Sequence, residues 1–96
     1  MGSLKLRLYA HSLGVDAKRR DHLISQVDQW VRTIKILETI AQNIVATAAS
    51  GAESQFLCHA AESAFGKLHS YNYKARASIF EWLRMRCTAI SDEEKA

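Results

Sequence analysis

The side chains of this sequence that could serve a soft metal ion are Cys58, His59, His69 and Cys87. Cys58 and His59 are adjacent, so on a helix they point about 100° apart and do not grip one ion together. Neither cysteine has the C-x-x-C spacing of a zinc or redox site, and both fall on or beside apolar stretches, where a buried structural thiol is the ordinary role. No metal site and no cofactor is therefore expected. Asp16, Asp21, Asp28 and Glu38 follow one helical stretch, where such charges are normally solvated, and the chain has neither a GxGxxG nor a GxxxxGK[ST] phosphate loop. The reading is non-enzymatic, without catalytic residues.

Binding chemistry is better represented. Tyr71, Trp82, Met85 and Arg86 are of the residue types that dominate protein interfaces, and they fall at the margin of an apolar stripe rather than its centre. Ile36 and Ile40 suggest a second apolar surface upstream. Those six residues are the candidate protein-binding set. Lys18, Arg19 and Arg20 form the alternative, a cationic cluster able to displace counterions from phosphates. They lie within residues 10–23, where Ala10, Gly14, Val15 and Leu23 resemble the offsets of a helix-turn-helix. The likeness is partial, because Arg20 stands where the second helix of that motif normally turns an aliphatic side chain inward. Cations at a helix start are also mildly unfavourable against the helix dipole.

The elements that must carry these residues are helical. With 48% hydrophobic residues, no proline and four glycines, the chain has material for one core but little of the turn chemistry of a many-stranded sheet. A chain of this length buries roughly 60 to 65% of its unfolded surface, so association is a natural route to stability. The net charge is +3. It is concentrated in residues 1–20 and 67–86, about four positive charges each, which fits acidic surfaces or nucleic acid without requiring either. Two cysteines are too few for a disulfide scaffold and suit a reduced, cytoplasmic chain. The short apolar runs argue against membrane association. Met1, Gly2 and Ser3 read as a cloning remnant and Ser91 to Ala96 as a frayed polar tail, around a single domain.

Leu23, Val27, Trp30, Ile34, Leu37, Ala41, Ile44 and Ala48 keep a 3.5-residue period through more than three heptads. This predicts one long helix over 17–49, capped by Asp16. Its flanking positions include Ile24, Val31, Ile40 and Val45, a stripe wider than a zipper seam and suited to a bundle. Ser50 to Glu53 is an S-x-x-E capping box, Ser50 accepting from the Glu53 amide and the Glu53 carboxylate reaching back to the Ser50 amide. It starts an antiparallel return that kinks or breaks near 69–72 and runs to Ile90, with Ile79, Leu83, Cys87 and Ile90 inward. Residues 4–13 are read as a short helix closed by Gly14 at C′.

The expectation is an all-α fold: a long antiparallel helical hairpin or bundle of three to four helices, completed by homodimerisation. The function it suggests is a protein-binding regulator, such as an antagonist, adaptor or immunity-type module masking a partner protein. A small DNA-binding regulator is the alternative.

Overall fold

The computed structural model describes residues 3–95, so Met1, Gly2 and Ala96 lie outside the described residues. Among those residues the chain is all-helical, with no strand: α1 (Leu4–Ser12), α2 (Ala17–Thr33), α3 (Leu37–Thr47), α4 (Gly51–His69) and α5 (Tyr73–Lys95). Five helices replace the three or four expected, and α5 continues through the segment read as a polar tail.

Each boundary has a local cause. Ser3 Oγ accepts from the Leu6 amide to start α1, and Asp16 Oδ2 accepts from the Lys18 amide to start α2. α1 ends in a Schellman turn: the Val15 amide donates to the Ala10 carbonyl (2.9 Å) and the Gly14 amide to His11 (3.0 Å). That turn needs a left-handed residue, and Gly14 supplies it at φ 77°. Ser50 Oγ accepts from the Glu53 amide, but the Glu53 carboxylate reaches Ala49 N–H, one residue earlier than the expected box. At 69–72 the alternatives left open resolve as a true turn. Ser70 is left-handed (φ 54°) and ends α4; Asn72 Oδ1 accepts from the Ala75 amide and starts α5. Gly66, lacking a side chain, lets the Arg76 stem cross α4, where its guanidinium meets Glu62 at 3.4 Å.

The main correction is to the long helix over 17–49. Residues 34–36 are extended, with Ile34 at ψ 126° and Ile36 at ψ 115°. Val31, Thr33, Ile34 and Ile36 put four β-branched side chains in six residues, each restricting helical χ1 freedom. Thr33 also turns its hydroxyl back onto the Gln29 carbonyl, a bond associated with bent helix ends. Tertiary geometry completes the reason: an unbroken helix over 17–49 would run about 50 Å, whereas the molecule measures 37 × 28 × 22 Å.

The break reverses the chain. Arg19, near the start of α2, donates to the Thr47 carbonyl at the end of α3, so α3 runs back toward the origin of α2. Arg19 also grips Glu53 at the start of α4, while Ile24 and Arg32 of α2 share a groove with Ala60 and Lys67 of α4. The return helix is therefore antiparallel to α3, which it follows across the turn, but parallel to α2. α3 in turn runs alongside α5, Glu38 meeting Arg86 and the Ala41 carbonyl meeting Cys87, and α5 runs antiparallel to α4.

The core lies between these layers. Leu23, Val27, Trp30 and Val31 of α2 bury against Phe56, Leu57, Ala61 and Phe65 of α4. Ile40, Ala41 and Ile44 of α3 and Leu83, Cys87 and Ile90 of α5 complete it. The seam residues read from the sequence thus still face the core, Ile34 and Ala48 packing on it from the linkers that flank α3.

Candidate functional site

The outer face of α5 carries the residues singled out for protein binding. On the helical wheel Leu83, Cys87 and Ile90 point into the core, which turns Trp82 and Met85 outward. Trp82 is 40% exposed and Met85 64%. Arg86, one turn beyond Trp82, makes a bidentate pair with Glu38 of α3: its Nε donates to both carboxylate oxygens at 2.7 Å, and Nη2 donates to Oε1 as well. The guanidinium hydrogen bonds hold the Glu38 carboxyl below its ordinary range. Because α3 and α5 are parallel, this clamp brings the α3 start toward the Trp82 end of α5. Ile36, the residue ahead of α3, is 64% exposed. The Arg86–Glu38 pair fixes α3 against α5, and Ile36, Trp82 and Met85 are large apolar side chains left exposed on these neighbouring elements.

Two members of the sequence-derived set fall elsewhere. Ile40 is fully buried, because the break at 34–36 turns its face onto α5; it is a core residue and leaves the set. Tyr71 sits in the corner between α4 and α5, its ring 5.6 Å from that of His69. Trp82 lies about 14 Å farther along α5 than Tyr73, at 1.5 Å per residue, so Tyr71 is exposed but separate. α1 adds an apolar pair that the sequence reading passed over, Leu4 and Leu8, exposed one turn apart. The signal was available: once Leu6, Tyr9 and Ala10 face inward, Leu4 and Leu8 fall outside.

The basic cluster is mostly occupied. Arg19 Nε donates to Glu53 Oε1 and Oε2 (3.1 and 3.0 Å), and Nη2 donates to Oε1 (2.9 Å) and to the Thr47 carbonyl (2.9 Å). Arg20 Nε donates to Asp21 at 2.9 Å, with its stem largely covered. Lys18 alone of the three is fully at the surface. The corner between α1 and α2 has the helix-Gly-helix form expected of residues 10–23, but two of its three cations are committed within the fold, and α2 buries Leu23, Ile24, Val27, Trp30 and Val31.

Two further clusters were not foreseen. His59 is sandwiched, with Tyr9 edge-on at 4.2 Å and Phe80 stacked at 4.3 Å; burial lowers its pKa, nearby Arg84 lowers it further and Glu62 opposes. Cys58 and Cys87 meet across α4 and α5 with their sulfurs 3.6 Å apart. Cys58 Sγ–H donates to Cys87 Sγ, and Cys87 Sγ–H in turn donates to the Ala41 carbonyl at 3.8 Å. The pair lies at an open cleft of about 640 Å³, with Ser54, Gln55, Arg84 and Thr88 among its lining. The Cys58 thiol is pushed up, first by its bond to Cys87 and then by burial. The Cys87 thiol, as acceptor of that bond, is lowered, with burial opposing.

Among the described residues no three of His, Cys, Asp and Glu converge as a metal-binding group, and no helix is long and apolar enough to cross a membrane. The chain matches no family model, no curated protein and no solved structure.

Proposed function

We propose that this protein is a non-enzymatic helical module that binds another protein through the outer face of α5, acting as an antagonist, adaptor or immunity-type regulator. The observation that carries this reading is the exposure of Ile36, Trp82 and Met85 beside an ion pair that holds α3 against α5. Large apolar side chains on a rigid support, rimmed by charge, match the composition of interface hot spots. In this reading the face also mediates homodimerisation, the same apolar side chains packing against their symmetry copies.

The test compares wild type with the double substitution Trp82→Ser/Met85→Ser, which removes exposed apolar surface and leaves the core intact. Sedimentation equilibrium at tens of micromolar should give dimer for wild type and monomer for the variant. Affinity capture from the native host should recover a partner with wild type that is lost with the variant. Monomeric wild type together with an unchanged captured set would refute the reading. Salt separates it from nucleic-acid binding: phosphate-driven binding weakens steeply between about 50 and 200 mM salt, whereas an apolar interface hardly responds.

A further inference from the structure

We propose that Cys58 and Cys87 form a redox-active dithiol that a low-molecular-weight disulfide such as oxidised glutathione converts to an intramolecular disulfide, stapling α4 to α5. The chain has two cysteines, 29 residues apart, and the fold brings both to one point with sulfurs 3.6 Å apart. A disulfide bond is about 2.05 Å long, so closure asks for an approach of roughly 1.5 Å. Both thiols belong to the buried core with Phe56 and Leu57, but both also line an open cleft, which leaves the pair room to move on that side.

The same cleft gives a route in. Both residues are only 2% exposed, yet they belong to its lining, together with Ser54, Gln55, Thr88, the Arg84 cation and the carboxylates of Asp92 and Glu94, a polar space that a small peptide disulfide can enter. Cys87 is the attacking group in this scheme, since it accepts the Cys58 hydrogen bond; it first gives up to solvent the proton it directs at the Ala41 carbonyl. Its thiolate attacks one sulfur of the oxidant, breaking that S–S bond and expelling one glutathione thiolate. Cys58, deprotonated in turn, attacks the Cys87 sulfur of the mixed disulfide and expels the second. The two cysteines lose two protons and two electrons; the oxidant takes up both as two thiols. The staple ties α5, which carries Trp82 and Met85, to α4, but it rests on the thiol geometry alone and not on the protein-binding reading.

The test is incubation of native wild-type protein in glutathione buffers of increasing oxidised fraction, followed by acid quench and intact mass measurement. The expected product has the mass of the monomer less two hydrogens and no alkylatable thiol after denaturation. A proteolytic fragment should link Cys58 to Cys87, and Tm should rise by several degrees through constraint of the unfolded chain. Cys58→Ser should stop at a glutathione adduct on Cys87 and react faster than Cys87→Ser does at Cys58. The proposal is overturned if two free thiols persist under oxidised glutathione, if the product is a stable glutathione adduct or a disulfide-linked dimer, or if the bond forms only after unfolding in urea.

Discussion

The contact between Arg19 and Glu53 determines where the reversed chain closes, and Glu53→Ala tests that role. The Glu53 carboxylate accepts three hydrogen bonds from Arg19, at 2.9 to 3.1 Å, and one from the Ala49 amide at 2.9 Å. Truncation leaves Arg19 with the Thr47 carbonyl alone and removes the acidic group favoured at the start of α4. Hydrogen bonds to a charged group contribute about 1.5 to 3 kcal/mol; Arg19 is about one-third exposed, so solvent screening puts the expected loss near the lower end, about 2 kcal/mol. For a domain of this size that is a fall in Tm of roughly 8 to 16 °C. Urea unfolding followed by far-UV circular dichroism measures it. Glu53→Gln, which keeps an acceptor for Ala49 but no charge, should lose about half as much. A double-mutant cycle with Arg19→Ala should return a coupling of about 1 kcal/mol, only partly reduced by high salt. The carboxyl is held below its ordinary range chiefly by Arg19, with Ala49 helping. Its contribution is therefore complete above the unfolded glutamate range and lost as pH falls through the lowered folded value. A loss below about 0.5 kcal/mol with no coupling would refute the claim that this clamp joins the starts of α2 and α4 to the end of α3.

Two other outcomes follow from the same geometry. Trp30→Ala, at a position only 8% exposed, should cost roughly 3 to 5 kcal/mol in urea unfolding, as truncation of a buried aromatic does. The His59 pKa is lowered by burial between Tyr9 and Phe80, so the unfolded chain takes up that proton first. Stability should then decline as pH falls from about 6.5 toward the lowered folded value. His59→Phe, which keeps a ring between its neighbours, should abolish that component and leave the carboxylate losses at lower pH. An unchanged profile in that range would show that His59 titrates equally in both states.

Much of the fold was readable because helix periodicity records which side chains must leave water. The inward faces of Leu23, Val27, Trp30, Ala41 and Ile44, the Asp16 cap, Gly14 at C′ and the Ser50 start each follow from local chemistry, and each is where the chain places it. In the candidate site, the α5 spacing puts Met85 off the buried stripe and leaves Trp82 at its edge, where core packing is the stronger expectation; packing against α3 and α4 leaves Trp82 40% and Met85 64% exposed. Arg86 and Arg19 were visible as cations, but their partners Glu38 and Glu53 lie 48 and 34 residues away, beyond any local signal.

By itself, the sequence determined the helical class and the inward faces, since these depend on side chains within a few turns of one another. Only the tertiary structure decided that the stripe over 17–49 belongs to two helices. A 3.5-residue spacing is satisfied equally by one straight helix and by two joined through an extended linker; what selects between them is the nearest apolar surface able to cover α3. That surface is α5, some forty residues downstream. Meeting it required the reversal at 34–36, which buried Ile40, left Ile36 outside and brought Cys87 beneath Ala41 and beside Cys58.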